Sequence, residues 1–184
     1  MESESFVSPL LASAALIALF SVMALIVAAE LPALDRLRDL LYLHGQKLMT
    51  VIAVAATSSS LYYSEVVGFL PCEFCWFQRI MMYPLAALLV TALVTRSRLD
   101  ARYIVVLATI GLGLSIYHYQ LQLFPEQARV CSGPVSCSGR YVDEFGFVTI
   151  PFMAGCAFLS ILLLQAADWR IAYLDRHWAA QAHA

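Results

Sequence analysis

The chain has 184 residues, 61% of them hydrophobic and only 13% charged, with a formal net charge of −2. Soluble globular proteins carry roughly a quarter charged residues, so this composition cannot cover a water-facing surface and excludes an ordinary soluble domain. The small negative charge also argues against nucleic acid as a partner. We therefore predict an all-α integral membrane protein, in which each span needs about 20 apolar residues to cross the bilayer.

The first predicted element is an uncharged run at residues 10–29, which follows a short acidic segment. Its length suits a transmembrane helix. A cleaved signal peptide is the alternative, but such a peptide begins with basic residues, and the first Lys or Arg of the chain is Arg36. We expect the span to be retained as an additional N-terminal transmembrane helix.

Residues 30–47 combine leucines at helical spacing with charged residues on the opposite face. This pattern is typical of an amphipathic helix that lies on the membrane surface, and equally of a solvated linker helix. Residues 48–64 then form a short uncharged span, whose hydroxyl residues at 57–60 suit contacts with other helices. We therefore separate an N-terminal unit, 1–47, from a helical unit that begins at residue 48.

Three further spans and two connecting loops follow. The spans lie at residues 76–95, 103–124 and 145–167. The first loop is short and basic, and the second, at residues 125–144, is long and rich in Gly, Ser and Pro. With the preceding span, these elements predict a four-helix transmembrane bundle over residues 48–167, and a polar tail at 168–184 ends the chain.

The distribution of basic residues assigns the two sides of the membrane. One side receives Arg36, Arg38, Lys47, Arg96, Arg98, Arg102, Arg170 and Arg176, whereas the other receives Arg79, Arg129 and Arg140. The positive-inside rule places the first group in the cytoplasm. We expect a multi-pass protein of the cell (inner) membrane, with a cytoplasmic tail and with both cysteine-bearing loops on the extracytoplasmic side, where disulfides persist.

Two cysteines in C-x-x-C spacing, Cys72 and Cys75, precede the third span. If the helix begins near Cys75, Arg79 lies one turn further along the same face, and both the helix N-terminus and the guanidinium stabilise a Cys75 thiolate. C-x-x-C alone also occurs in zinc sites and by chance. A second pair, Cys131 and Cys137, lies on the same side of the membrane and favours a redox dithiol.

Two ionisable side chains lie within the spans at similar predicted depth, Arg79 and His118. Such residues usually face the bundle interior. With the thiols they would line a site open to lipid, in which they would hydrogen-bond the carbonyls of a quinone. The alternatives are that Arg79 snorkels to the headgroups and that His118 is a satisfied interfacial histidine. Cys156 has no partner in sequence and is expected to be a small buried residue.

Three ordered motifs resemble the disulfide bond formation protein B (DsbB) family, especially its BdbC-like branch with a short outer loop. They are Pro71-Cys72-Glu73-Phe74-Cys75 with Gln78-Arg79, the segment SIYHYQLQLFP from Ser115 to Pro125, and Cys131 and Cys137 followed by FGFVTIP from Phe145 to Pro151. The resemblance covers about residues 48–167. It implies the four-helix bundle, to which residues 10–47 are an addition.

The resemblance also implies a function. Members of this family are membrane oxidases that reoxidise a DsbA-like thioredoxin-fold protein and pass its electrons to quinone, here ubiquinone or menaquinone, and so support disulfide formation. The quinone-proximal pair corresponds to Cys72 and Cys75, and the partner-facing pair to Cys131 and Cys137. By analogy Cys75 contacts the quinone, Arg79 tunes that contact, His118 lies at the quinone site, and Cys131 forms the mixed disulfide with the partner.

Other functions compete with this interpretation. The four outward cysteines could bind a metal, although the five residues between Cys131 and Cys137 exceed the usual spacing of a zinc knuckle, and we expect no metal site. A membrane scaffold or transporter with structural disulfides is a second alternative. An enzyme of the same build that reduces outer disulfides is a third, because direction depends on potentials and partners.

Overall fold

The computed structural model describes the backbone of residues 2–29, 35–131, 133 and 135–182, and the side chains of residues 6–28, 39–127, 131, 133 and 135–174. The described chain is helical. Its helices are α1 (Glu2–Ala29), α2 (Asp35–Leu61), α3 (Glu73–Val94), α4 (Ala101–Leu123) and α5 (Ile150–Ala182), with a π-turn at Tyr62–Val66 after α2 and a 3-10 turn at Pro125–Val130 after α4.

All five helices are long and apolar enough to cross a membrane, and this confirms the predicted all-α membrane fold. The candidate spans are Phe6–Ala28, Asp39–Val66, Glu73–Val94, Ala101–Leu123 and Ile150–Leu174. Large apolar side chains such as Ile17, Ile80 and Ile116 are more than half exposed on the outside of the bundle. Lipid tails solvate such side chains, and helices satisfy their own backbone groups in the bilayer.

Helix α5 is the central element, because it packs against α1, α2 and α4, while α3 packs between α2 and α4. The core between them is built from large side chains that are almost fully buried, including Leu85, Leu89, Ile104, Phe158 and Ile161. Close packing and small residues drive the association of helices in membranes. At Gly111 of α4 the Phe158 ring occupies the space that a Cβ atom would need, so this glycine lets α4 and α5 approach closely.

Polar contacts tie the elements together at one end of the bundle. Arg98, in the loop between α3 and α4, forms an ion pair of 2.6 Å with Asp168 of α5. Gln46 of α2 donates from Nε2 to the Ser97 carbonyl at 2.9 Å and accepts from the Leu99 N–H at 2.9 Å. Both cysteine-bearing segments lie at the opposite end, where α2 ends and α3 and α5 begin.

The structure differs from the predicted elements in the N-terminal half. A separate surface helix over residues 30–47 was one expectation, but α2 runs without interruption from Asp35 to Leu61, and residues 30–34 lie outside the described part. No proline interrupts this stretch, and Gly45 lies in open space, so nothing forces a break between the amphipathic segment and the span.

Two helix starts also differ from the predicted positions. Helix α3 begins at Glu73 with Cys72 as its N-cap, and not near Cys75. Helix α5 begins at Ile150, because the preceding turn carries positive φ angles of 54° at Phe145 and 76° at Gly146, which a helix does not allow. Helix α5 also continues past residue 167 to Ala182, so the predicted tail begins as an extension of the last helix.

The contact between α4 and α5 gives the first testable prediction. We expect Gly111→Ala to lower the free energy of unfolding by about 1–3 kcal/mol, the usual cost of overpacking. Gly113→Ala is the matched control on the same helix, because nothing lies near its missing Cβ, and a helical Gly→Ala change there is neutral or stabilising by up to about 1 kcal/mol. Thermal unfolding in detergent measures the stability of both variants. Equal unfolding midpoints for the two variants would contradict the packing of α4 against α5 described here.

Candidate redox site and membrane cavity

The C-x-x-C motif lies at the start of α3, where Cys72 is the N-cap residue. The two sulfur atoms, Cys72 Sγ and Cys75 Sγ, are 3.0 Å apart. Cys72 is buried, with 4% of its surface exposed, whereas Cys75 is half-buried. A helix N-terminus stabilises negative charge. Because α3 begins at Glu73 and not at Cys75 as expected, this stabilisation acts on Cys72.

His118 of α4 contacts Cys72. Its Nε2 atom lies 3.5 Å from Cys72 Sγ, and its Nδ1 atom lies 3.3 Å from the Gln78 amide nitrogen. The imidazole is almost fully buried, with 2% exposed. The neighbouring Cys75 thiol, and secondarily His118, hold the pKa of Cys72 well below its usual range, at about 4, although burial alone would raise it. In the dithiol state, Cys72 is therefore the thiolate.

The outer cysteine pair forms a disulfide that packs onto this site. Cys131 and Cys137 are bonded, with their Cα atoms 6.2 Å apart. Cys137 is buried, with 1% exposed, and belongs to the same apolar cluster as Cys72, Phe74 and Leu121. Cys131 is half-buried. The disulfide thus presents one accessible sulfur and one that is buried in the cluster around Cys72.

Contacts at both ends hold the outer loop in this position. A Cβ atom at Gly133 would lie 3.2 Å from Glu73 Oε1 at the start of α3. On α4, Gln122 donates from Nε2 to the Gly139 carbonyl at 3.1 Å, and Arg140 donates from Nη2 to the Gln122 carbonyl at 3.2 Å. The two cysteine pairs therefore lie in adjoining, mutually packed segments. Pro134 of the same loop lies outside the described residues.

On the other side of Cys75 lies a cavity of about 350 Å³, walled mainly by apolar side chains of α1, α2, α3 and α5. Cys75, Gln78, Arg79 and Tyr83 line it from α3. Helix α1 contributes part of the wall through Leu11, Ala14, Ala15 and Ala18. The additional N-terminal helix, whose role the sequence left open, thus forms one side of the cavity.

Arg79 is held at the wall of this cavity by contacts with Ser60 and Trp76. Its Nε atom donates to Ser60 Oγ at 3.0 Å and its Nη2 atom donates to the Ser60 carbonyl at 3.1 Å. Its guanidinium carbon lies 5.1 Å from the centre of the Trp76 ring. Tyr83 donates to the same Ser60 hydroxyl at 3.2 Å. These contacts hold a positive charge beside the half-buried Cys75.

Arg79 and His118, which we expected to lie together at one site, line different cavities. His118 lines a separate small cavity with Cys72, Cys75 and Gln122, and no described residue of α4 lines the large one. The two residues do lie near the same end of the bundle, but on opposite sides of the C-x-x-C pair. Cys75 lines both cavities and so connects them.

Sequence reasoning missed several site residues. Gln78 lines the large cavity and contacts His118, and its position three residues after Cys75 within the quoted motif was the signal for it. Ser60 belongs to the run of hydroxyl residues in α2. Gln122 follows His118 by one helical turn, which places both on one face. Cys156 is buried, as expected, but it also lines the large cavity.

The structure also bears on the alternative of a four-cysteine metal site. Two of the four sulfurs are joined in the Cys131–Cys137 disulfide, so four thiolates are not available in this state. The remaining ligand atoms close together in the described chain are Cys72 Sγ, Cys75 Sγ and one ring nitrogen of His118, all within 4.8 Å of one another.

Comparisons with known proteins match this arrangement. Residues 45–174 match the family model described as disulfide bond formation protein DsbB. The chain is 46% identical over 121 residues, 64% of its length, to 83% of a probable disulfide formation protein from Oceanobacillus iheyensis. It is 44% identical over 117 residues, 62% of its length, to 85% of disulfide bond formation protein C from Bacillus subtilis. No solved structure matches the chain.

The family match spans α3, α4 and most of α2 and α5, together with both cysteine pairs, and leaves α1 outside. The match covers well over half of the chain, and the fold is the multi-pass helical bundle that the motifs implied. The chain therefore belongs to the disulfide bond formation protein DsbB family of membrane proteins.

Proposed function

We propose that this protein is a membrane thiol–disulfide oxidoreductase that reoxidises an extracytoplasmic DsbA-like thiol oxidase and passes the electrons to a membrane quinone. One observation carries the proposal. The buried sulfur of the outer disulfide, Cys137, shares an apolar cluster with Cys72, while Cys75, the partner of Cys72, lines a cavity on the membrane side. The three positions define a path from the outer loop to the bilayer.

The first step follows from the unequal exposure of the outer disulfide. A thiolate of the reduced partner attacks Cys131, the more accessible sulfur, and forms a mixed disulfide as the Cys131–Cys137 bond breaks. Cys137 leaves as the thiolate. Since Cys137 is buried in the cluster that also contains Cys72, the new thiolate is released within the cluster that holds the inner disulfide, and not into solvent.

The second step moves the electron pair inward. The Cys137 thiolate attacks Cys72, a Cys72–Cys137 disulfide forms, and Cys75 leaves as a thiolate at the wall of the large cavity. Arg79, held by Ser60 beside this position, stabilises the negative charge that develops on Cys75. At this stage Cys75 is the cavity-facing thiolate, whereas Cys72 is the thiolate of the free dithiol.

The third step returns the outer pair to its starting state. The second thiolate of the partner attacks its own sulfur in the mixed disulfide, so the partner leaves oxidised and Cys131 becomes a thiolate. Cys131 then attacks Cys137, which restores the outer disulfide and releases Cys72 as a thiolate beside Cys75. His118, 3.5 Å from Cys72 Sγ, is placed to hold or release a proton at that sulfur. Two electrons now reside on the inner pair.

The large cavity suits a quinone headgroup. Its volume of about 350 Å³ falls within the range of about 300–1,000 Å³ that is usual for small-molecule sites, and its lining is mainly apolar. Gln78 and Arg79 offer N–H donors and Tyr83 offers a hydroxyl at its wall. These groups would hold the carbonyl oxygens, and Arg79 would favour their more anionic reduced form. A bound quinone supplies a sink for two electrons and two protons.

The lowered pKa of Cys72 fits an oxidising role. A stabilised thiolate favours the reduced form of a dithiol pair, and this makes the corresponding disulfide a stronger oxidant, as in the DsbA case. The names of the relatives, which refer to disulfide formation, also support net oxidation of the partner over reduction. The loops with few basic residues carry both pairs, which supports an extracytoplasmic position for them.

Quinone reduction by the reduced partner tests the proposal. Purified protein in detergent would receive a reduced thioredoxin-fold oxidase and a soluble quinone, and quinone consumption would be followed optically. We expect each of the variants Cys72→Ala, Cys75→Ala, Cys131→Ala and Cys137→Ala to reduce turnover to the uncatalysed rate, because each breaks the path. Thr91→Ala is the control and should retain turnover, because Thr91 is exposed on α3 and lines neither cavity. Undiminished turnover without Cys72 would refute the route.

The wall that α1 contributes to the cavity gives a further prediction. Ala18→Phe should fill part of the quinone site and raise the KM for quinone about 10- to 100-fold, since overpacking costs about 1–3 kcal/mol and about 1.4 kcal/mol corresponds to a factor of ten. The KM for the partner should not change. Ala24→Phe is the control, because Ala24 is exposed on the same helix and does not line the cavity. Equal quinone KM values for the two variants would exclude α1 from the site.

A further inference from the structure

The small cavity on the α4 side of the C-x-x-C pair contains a set of metal-ligating atoms that the electron path does not fully use. Cys72, Cys75, His118 and Gln122 are among the residues that line it. The ligand atoms of the two cysteines and the histidine all lie within 4.8 Å of one another. Two thiolates and one imidazole form a common type of zinc ligand set, with the fourth position open.

The distances are close to those of a zinc site. Zn–S bonds of about 2.3 Å and Zn–N bonds of about 2.0–2.1 Å in a tetrahedron separate two sulfurs by about 3.8 Å and a sulfur from a nitrogen by about 3.5 Å. Cys72 Sγ already lies 3.5 Å from His118 Nε2. The two sulfurs, now 3.0 Å apart, would have to separate by less than 1 Å, which a side-chain rotation achieves.

The surroundings of the ligands are also those of a metal site. The Gln78 amide nitrogen lies 3.3 Å from His118 Nδ1. Zinc binding through Nε2 requires the ring proton on Nδ1, so the Gln78 amide would turn to present its oxygen, the acceptor that orients a metal-binding histidine. Burial of a dication requires compensating negative charge, and two thiolates provide it.

An unpartnered polar atom in the same cavity is an independent indication of a ligand. Gln122 is buried, with 5% of its surface exposed, and its Oε1 atom has no hydrogen-bond partner among the described residues. Buried polar atoms are rarely left unpaired. The cavity volume is about 10 Å³, which is close to the space that one water molecule needs. A water on the fourth position of a metal ion would donate to this oxygen.

We propose that the reduced Cys72–Cys75 pair and His118 form a zinc site, with Gln122 accepting a hydrogen bond from the water that completes the coordination. The disulfide form has no thiolates and cannot bind, so metal affinity reports the redox state of the inner pair. A bound ion would occupy both sulfurs and the His118 nitrogen. It would therefore arrest thiol–disulfide exchange, a consequence that rests on the proposed function, whereas binding itself does not.

Direct metal binding tests this proposal without quinone or partner protein, so its result is separate from that of the proposed oxidase activity. Reduced protein, freed of reductant under anaerobic conditions, would be titrated with Zn²⁺ in competition with a chromogenic chelator. We expect one ion per reduced chain and none for the chain with both disulfides formed. X-ray absorption of the zinc-loaded wild type should show two sulfur ligands and one imidazole.

Variants provide the matched comparison. His118→Ala should weaken zinc binding about a hundredfold or more, because loss of an outer partner alone costs about 10- to 100-fold and loss of a ligand costs more. Cys156→Ala removes a free thiol that lies outside the cluster and should bind as the wild type does. No stoichiometric binding by the reduced chain, equal binding by the oxidised chain, or a wild-type zinc spectrum without sulfur and imidazole ligands would each overturn the site.

Discussion

The contact between the outer disulfide and the N-terminus of α3 is the constraint on which the rest of the site depends. Cys137 is buried in the same apolar cluster as Cys72, and Cys72 Sγ lies 3.0 Å from Cys75 Sγ. Thiol–disulfide exchange requires sulfur atoms to meet directly. Because the short outer loop already packs against the start of α3, the outer cysteine pair would not need a large movement of the loop to reach the inner pair.

The C-x-x-C pair lies between two different environments, and each of its sulfurs faces one of them. On the α4 side, the buried His118 ring contacts Cys72 and favours its thiolate. On the membrane side, Cys75 borders a largely apolar cavity beside an arginine that Ser60 holds in place. In such surroundings charges interact more strongly than in water, so the fixed guanidinium favours negative charge on Cys75 more than it would in water. The α4 side, with Cys72 and His118, therefore suits exchange with the outer loop. The cavity side, with Cys75 and Arg79, suits the electron acceptor that we propose.

Much of this arrangement could be predicted from the sequence, and the limits have physical causes. Apolar runs long enough to cross a bilayer indicated all five helices, and the C-x-x-C spacing with Arg79 indicated the chemistry. Position along a helix follows from residue number, but rotation about the helix axis depends on packing, so the sequence alone could not show that His118 and Arg79 line different cavities. Gln78 and Gln122 were missed because their spacing from Cys75 and His118 indicates a shared helix face, but does not distinguish a buried glutamine from an exposed one. The start of α3 was misplaced by two residues, and this transferred the helix N-terminus from Cys75 to Cys72.

The proposed electron path requires Cys137 to face Cys72. Trapping a disulfide between these two residues tests the path most directly. In the double variant Cys75→Ala/Cys131→Ala, the two remaining partners should join under mild oxidation into a Cys72–Cys137 disulfide, identified by mass spectrometry of the unreduced digest. The control, Cys72→Ala/Cys131→Ala, offers Cys75 to Cys137 instead and should cross-link far more slowly, because Cys75 faces the cavity. Rapid, near-complete Cys72–Cys137 pairing in the first variant is the predicted result. Free thiols in that variant, or equal cross-linking in the two, would contradict the proposed path.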